Sequence, residues 1–162
     1  RRRIRSIVVA AGTNSDGRTN GISLPSQASQ QELIETVHRS VGLDPDKLSF
    51  VEAHGTGTKI GDPVEAAAIG RALGQRRTMA LPIGSVKSNI GHLEAASGLA
   101  SLLKASLVLE HGIVPRSLFA DEPNSAIPFA DLNLAPVTKA LALSDESGDR
   151  FAGICNYGFG GT

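Results

Sequence analysis

Short uninterrupted apolar runs recur along this chain and predict buried β-strands, because runs of four to eight such residues are typical of strands covered on both faces. The candidate strands are 7–10, 48–53, 81–86, 132–134, 141–143 and 151–156. The first three are the strongest, and each is followed by polar or glycine-rich residues that end it.

Between these runs, apolar residues recur at the spacing of amphipathic helices, which predicts helices at 26–41, 62–73 and 91–110. Gly42 ends the first helix. Asp62 is predicted to cap the second, with Pro63 at its first helical position. Ser88 and Asn89 are predicted to cap the third, whose first half is rich in small residues and is therefore expected to be buried on most sides.

The alternation of strands and helices predicts a single α/β domain over residues 1–162 with a mostly buried sheet. In such sheets, ligands bind beyond the carboxyl ends of the strands. Three of these ends have unusual sequences, the loop 14–21, the turn 54–58 and the segment 87–92. A functional site is therefore expected where these three segments meet.

The composition excludes several classes of protein. Sixteen basic and sixteen acidic residues leave no net charge that would favour nucleic acid or an anionic membrane. A single cysteine allows no internal disulfide, and no apolar stretch is long enough to span a membrane or to form a signal peptide. We expect a cytoplasmic protein whose basic start, Arg1 to Arg5, leads into the first strand, and both ends resemble cuts from a longer chain.

The glycines of HGTGTKIG invite comparison with nucleotide-binding loops, but the pattern does not fit. Gly55, Gly57 and Gly61 are spaced one residue too far apart for the dinucleotide fingerprint, and no acidic residue closes a second strand about 20 positions later. The order Gly57-Thr58-Lys59 is also wrong for a phosphate-binding loop of the Walker type. Nucleotide binding is the weaker hypothesis.

A metal site is a second alternative. His54, Asp62, Glu65 and His92 could converge, but their spacings match no standard zinc pattern. Asp62 is also predicted to cap a helix. We therefore predict no metal.

Acid–base and electrostatic chemistry fits these residues better. His54 and His92 each lie at a strand-to-helix junction flanked by glycines. Neutral imidazoles can donate hydrogen bonds to an oxygen that becomes negative in an enolate. Thr56 and Thr58 place hydroxyls at the mouth of the same pocket, suited to the amide groups of an extended ligand. The other two histidines are interpreted as structural.

Four ordered motifs then point to one family: NSDGRTNG (14–21), VEAHGTGTKIGDPVEA (51–66), GSVKSNIGHLEAASG (84–98) and NYGFGGT (156–162). Together they resemble the ketosynthase (beta-ketoacyl synthase) domains of type I modular polyketide synthases, and they cover the C-terminal half of such a domain. The resemblance implies the C-terminal half of a thiolase-like fold, a mixed β-sheet packed between helices.

The resemblance also implies roles for individual residues. His54 and His92 match the two catalytic histidines, which assist decarboxylation of a malonyl-type extender and stabilise the enolate. Lys87 matches a lysine whose charge would meet Glu65 and position His92. Phe159 matches a gating phenylalanine whose backbone N–H would contribute to the oxyanion hole.

The same comparison assigns Thr56 and Thr58 to hydrogen bonds with a phosphopantetheine arm, delivered by an acyl carrier protein, with no cofactor bound directly. The nucleophilic cysteine of the family belongs to a motif like Thr-Ala-Cys-Ser-Ser, which is absent here. Cys155 is no substitute and is interpreted as a buried packing residue. The nucleophile is expected in an N-terminal half that this chain lacks.

The function implied is decarboxylative Claisen condensation by the whole domain, a homodimer, whereas this chain alone is expected to be inactive. The alternative is a non-catalytic, chain-length-factor-like subunit that binds an acyl-pantetheine arm, although the presence of both histidines and Lys87 argues against it. A stand-alone protein that docks carriers is the third hypothesis. An upstream cysteine would separate the first two, and a stable monomer would favour the third.

Overall fold

The structure is a computed structural model that describes residues 4–19, 21, 23–143 and 148–161. Its helices are α1 (Gln27–Val41), α2 (Gly61–Ala72), α3 (Lys87–Ile90) and α4 (Ser97–His111). Its strands are β1 (Leu48–Glu52), β2 (Leu81–Gly84), β3 (Ile113–Val114), β4 (Leu134–Pro136), β5 (Leu141–Ala142) and β6 (Phe151–Ile154). Short 3₁₀ helices occupy Pro45–Lys47, Gly74–Arg76 and Glu94–Ala96.

The main sheet has four parallel strands in the order β4-β2-β1-β6. Val51 of β1 is opposite Ile83 on one side and Gly153 on the other, so β1 lies inside the sheet. β3 and β5 form a separate antiparallel pair. The predicted α/β class is confirmed, but the pairings expected in one mixed sheet are divided between two sheets in the described part of the chain.

The sheet lies between helices, as its apolar residues require. Val51 packs with Ala68 and Ile69 of α2 in one buried cluster. Phe50, the preceding residue of β1, packs with Val108 of α4 in a second cluster. Successive strand residues point to opposite faces, so β1 supplies side chains to both cores. This packing fixes the carboxyl ends of β1 and β2 between α2 and α4.

The first predicted helix is confirmed together with both of its ends. The Ser26 side chain accepts a hydrogen bond from the Ser29 N–H and caps α1. Gly42 takes a left-handed conformation at the other end, with φ of 61°. The runs at 48–53 and 81–86 are likewise confirmed as β1 and β2.

The predicted first strand at 7–10 is wrong. Ile7, Val8 and Val9 are 76%, 66% and 55% exposed, and no strand among the described residues pairs with this segment. The segment borders an apolar cleft of about 380 Å³ against α1, α4 and β6. An apolar run predicts burial, but a strand also needs a neighbour for its backbone N–H and C=O groups, and the described chain supplies none here.

The second helix begins differently from the prediction. α2 begins at Gly61, so Asp62 lies inside the first turn and is not the N-cap. The Asp62 carboxylate instead accepts a hydrogen bond from the Gly57 N–H at 3.0 Å, and the Thr58 hydroxyl accepts one from the Gly61 N–H at 3.0 Å. Thr58 therefore satisfies one of the free N–H donors at the start of α2, and Asp62 bonds to the loop before the helix.

The third predicted helix is wrong at its start. Gly91 and Glu94 adopt φ of 73° and 50°, and these left-handed residues interrupt the segment, so α4 begins only at Ser97. Its burial is also one-sided. Ser97 is 2% exposed, whereas Leu99 and Leu103 are 70% and 62% exposed, so the helix is not covered on most sides by this chain.

Two further expectations concern the surface. No helix of the described residues is long and apolar enough to cross a membrane. Of the basic cluster at 1–5, the first three arginines lie outside the described residues, and Arg5 forms an ion pair with Glu110 at 2.7 Å.

Candidate active site

The candidate site lies where β1 and β2 end, because adjacent parallel strands present their carboxyl ends at one edge of the sheet. The segment 53–60, which we call the first junction, joins β1 to α2. The segment 85–96, which we call the second junction, joins β2 to α4. The Ser85 hydroxyl donates a hydrogen bond to the backbone oxygen of His54 at 3.3 Å, so the two junctions are in contact.

The structure brings the two predicted histidines together. The ring centroids of His54 and His92 are 5.2 Å apart, and the planes meet at 88°. Tyr157, which follows β6, packs its ring edge-on against His54 at 5.6 Å. Histidines 38 residues apart in the sequence therefore share one small site, whose third side comes from the segment after β6.

His54 is held in a neutral state. Its Nδ1 lies 3.2 Å from Oδ1 of Asn156, and since an amide oxygen can only accept, Nδ1 donates. Burial, and to a smaller extent the positive charge of Lys87, together lower the pKa of His54 to about 4. At pH 7 the ring is neutral, with its proton on Nδ1 and a lone pair on Nε2.

His92 has the opposite arrangement. Its Nδ1 accepts a hydrogen bond from the Glu94 backbone N–H at 2.9 Å. The neutral ring therefore keeps its proton on Nε2, which can donate. The expectation that both neutral rings donate to one oxygen fits His92 but not His54.

Glu65 and Lys87 do not make the contact predicted for them. Both oxygens of the Glu65 carboxylate accept backbone hydrogen bonds, from the N–H of His54 at 2.7 Å and of Gly55 at 2.8 Å. The Lys87 ammonium is buried, with no hydrogen-bond partner among the described residues. Burial raises the pKa of Glu65 to about 7, and the two groups interact only through their fields.

The predicted pantetheine-binding threonines are placed differently from each other. Thr56 borders a cavity of about 580 Å³ that Glu65, Lys87 and His92 also line. Residues of the segment 117–124 also line this cavity. Thr58 is outside the lining, and its hydroxyl is used in capping α2. Thr56 is therefore the better placed of the two for a ligand in this cavity.

Phe159 lies on the loop after β6 and is 83% exposed. The Asp16 N–H donates to the Gly160 oxygen at 2.8 Å, which ties this loop to the start of the chain. Cys155 packs against the main core, and burial raises the pKa of its thiol to about 12. A thiol with such a pKa is a poor nucleophile at pH 7, consistent with the packing role predicted for it.

Four residues near the site were missed in the sequence. Glu52, which is fully buried, accepts a hydrogen bond from the Val86 N–H at 2.6 Å and forms an ion pair with Lys104 at 2.5 Å. Asn156 and Ser97 are joined by a hydrogen bond of 2.8 Å. A carboxylate inside the apolar run 48–53 was a usable signal for Glu52, whereas Asn156 begins the motif 156–162 but was given no role of its own.

The site also bears on the metal hypothesis. Within the described ranges, no three histidine, cysteine or acidic side chains come together in a way that could bind a metal ion. His54 and Glu65, two of the four candidates, are joined through the His54 backbone N–H instead.

Comparison with known proteins gives a consistent result. Residues 5–121 match the family described as Beta-ketoacyl synthase, C-terminal domain. A reducing polyketide synthase of Hypomyces subiculosus is 45% identical over 98% of this chain, which corresponds to 7% of that protein. A phenolphthiocerol/phthiocerol polyketide synthase of Mycobacterium tuberculosis is 40% identical over 99% of the chain and 9% of its own length.

Solved structures agree with these relatives. The ketosynthase from module 6 of the bacillaene synthase of Bacillus subtilis is 36% identical and superposes with a TM-score of 0.92, over 98% of this chain and 29% of that one. An oxazolomycin ketosynthase domain of Streptomyces albus is 35% identical with a TM-score of 0.90, over 98% and 29%. The chain thus spans under a tenth of these curated relatives and under a third of these solved ketosynthases.

Proposed function

The chain belongs to the family of beta-ketoacyl synthase C-terminal domains, as part of a polyketide synthase ketosynthase domain, and from this premise we propose that it supplies the two histidines of a decarboxylative Claisen condensation. The observation that supports this most strongly is the contact between the His54 and His92 rings at 5.2 Å. Two imidazoles from different strand ends can act together on one thioester.

The reaction proposed begins with an acyl group on a cysteine outside this chain and a malonyl-type unit on an acyl carrier protein. Breaking the bond to the malonyl carboxylate releases CO₂ and leaves its electron pair as an enolate. The enolate carbon attacks the acyl thioester, forms the new C–C bond and releases the cysteine thiolate. Cys155 takes no part in these steps, because burial raises the pKa of its thiol to about 12.

His92 is the group best suited to the enolate oxygen. Its Nε2–H is free to donate because its Nδ1 accepts from the Glu94 N–H. A donor aimed at the oxygen on which charge develops stabilises the transition state more than the ground state. The buried ammonium of Lys87, close enough to lower the pKa of His54, adds a positive field at the same place.

The substrate arm is proposed to enter through the cavity of about 580 Å³ that Thr56 and His92 both line. A phosphopantetheine arm is extended and has amide groups, and the Thr56 hydroxyl can bond to one of them. We propose an acyl carrier protein as the partner that delivers it, and Phe159, exposed on its loop, as the residue that meets the acyl chain.

The surface of the chain supports a larger domain. Ile7, Val8, Leu99 and Leu103 are each more than 60% exposed, more apolar side chain than an isolated domain usually leaves uncovered. We propose that the N-terminal half of the ketosynthase domain covers these side chains and provides the nucleophilic cysteine, and that the whole domain forms a homodimer.

The proposal is tested with the whole ketosynthase domain and malonyl-loaded carrier protein, by following CO₂ release. We expect His54→Ala and His92→Ala each to slow release by at least about 100-fold, in line with the contribution of positioned acid–base and electrostatic groups. His111→Ala is the matched control, because His111 ends α4 and lies outside the site. Undiminished release in both site variants would refute the roles proposed here and favour a non-catalytic binding protein.

A further inference from the structure

The side chain of Asn156 connects His54 to the start of α4. Its Oδ1 accepts from Nδ1 of His54 at 3.2 Å and from the Ser97 hydroxyl at 2.8 Å. Ser97 is 2% exposed and is the first residue of α4, so the far end of this small network is anchored in the core.

The amide oxygen of Asn156 faces two neighbouring polar groups, the Ser97 hydroxyl and Nδ1 of His54. The Ser97 hydroxyl and His54 Nδ1 both meet Oδ1, which has two lone pairs and can accept from both. With the opposite amide orientation, the NH₂ group would face them, and Nδ1 would have to accept. The network as built therefore selects the His54 tautomer protonated at Nδ1.

We propose that Asn156 is a positioning residue that fixes His54 in this tautomer, so that Nε2 of His54 presents a lone pair to the reacting atoms while Nε2 of His92 presents an N–H. The inference rests on the proposed function and deepens it by giving the two histidines different tasks. His92 takes its tautomer from the backbone of its own junction, through the Glu94 N–H. His54 takes its tautomer from a side chain of another element, and can therefore be changed by one substitution.

The charges around His54 set the expected effect of pH. Lys87 and His92 of the second junction face it and disfavour its protonation, and burial acts in the same direction. Glu65 from α2 bonds to its backbone, and Tyr157 packs against its ring. Among these contacts, the hydrogen bond to Asn156 favours protonation. A carboxylate in place of the amide would favour it much more.

The experiment uses the whole domain and CO₂ release from malonyl-loaded carrier protein, measured as kcat and KM from about pH 3.5 to 9, a range that includes the pKa of about 4 of His54. Asn156→Ala is expected to lower kcat by about 10- to 100-fold, as loss of an orienting partner does elsewhere, with KM changed by less than about twofold. Asn156→Asp is expected to move the acid limb of the kcat profile upward by about 1 pH unit or more, because the carboxylate raises the pKa of His54 and the protonated ring has no lone pair at Nε2.

Gln75→Ala is the matched control, since Gln75 is an exposed amide that bonds to the Asp131 oxygen at 3.0 Å beyond the far end of α2. Unchanged kcat in Asn156→Ala, or an unmoved acid limb in Asn156→Asp, would overturn the inference while the response of His54→Ala leaves the proposed function standing. If His54→Ala itself is as fast as the parent domain, the proposed function fails, and the task given to Asn156 fails with it.

Discussion

The first and second junctions both place a histidine at the carboxyl edge of the sheet, but they are stabilised in different ways. At the first junction, carboxylates of α2 accept backbone hydrogen bonds. Glu65 accepts from the N–H groups of His54 and Gly55, and Asp62 accepts from that of Gly57. At the second, a left-handed turn of the backbone orients the ring, and the Glu94 N–H bonds to His92.

This difference has a consequence for mutation. The first junction depends on carboxylates that lie elsewhere in the sequence, so single side-chain changes should disrupt it. At the second junction the turn that orients His92 depends on its own backbone, so the side chains of this turn other than His92 should be replaceable except where the turn requires glycine. Glu52 serves both, because its buried carboxylate lies at the end of β1 and accepts from the Val86 N–H of the second junction.

The largest difference in stability is expected between the alanine variants of two glutamates, one at each junction. Glu65→Ala removes the acceptor of two partly buried N–H groups and should lower the free energy of unfolding by about 2–4 kcal/mol, since each unsatisfied donor costs about 1–3 kcal/mol. Glu94→Ala keeps the backbone N–H that bonds to His92 and removes a side chain that is 90% exposed, so it should change stability by less than about 0.5 kcal/mol.

Urea denaturation of the whole domain, followed by circular dichroism, measures both changes. Equal losses of unfolding free energy in Glu65→Ala and Glu94→Ala would contradict the predicted difference between the two junctions, and so would a larger loss in Glu94→Ala. A large loss for Glu94→Ala alone would mean that the second junction depends on that carboxylate after all.

A smaller difference in stability is expected between the alanine variants of two glycines, one at each junction. Gly55→Ala combines a left-handed φ of 49° with a Cβ that would lie 2.7 Å from Ser85 Cβ, and should cost about 2–4 kcal/mol. Gly91→Ala has a φ of 73° but nothing within 4 Å of the new Cβ, so only the backbone penalty of about 1–2 kcal/mol applies. Thermal unfolding of the two variants checks the order, and a costlier Gly91→Ala would show that the second junction is the more tightly packed.

Much of this architecture could be predicted from the sequence. The apolar runs at 48–53 and 81–86 gave two neighbouring strands, and Ser26 and Gly42 gave both ends of α1. The pattern works there because burial and capping are local properties of a few consecutive residues. For the same reason, the local pattern alone places both histidines at strand ends.

The errors concern contacts between segments. The run at 7–10 has the composition of a strand, but pairing depends on a neighbour that no local pattern reveals. Lys87 and Glu65 have opposite charges, yet Glu65 is bonded to backbone N–H groups of the first junction. Asn156 acquires its role only because β6 ends beside β1, a neighbour distant in the sequence.

The most direct test of the account is a double-mutant cycle across the two junctions. CO₂ release from malonyl-loaded carrier protein would be compared for the whole domain and for His54→Ala, His92→Ala and the double variant. The centroids of the two rings are 5.2 Å apart, and both rings are proposed to act on one thioester. The double variant should therefore release CO₂ only slightly more slowly than the slower of the two single variants. If the fold losses in rate of the two single variants multiply in the double variant, as they do for independent groups, the account is contradicted.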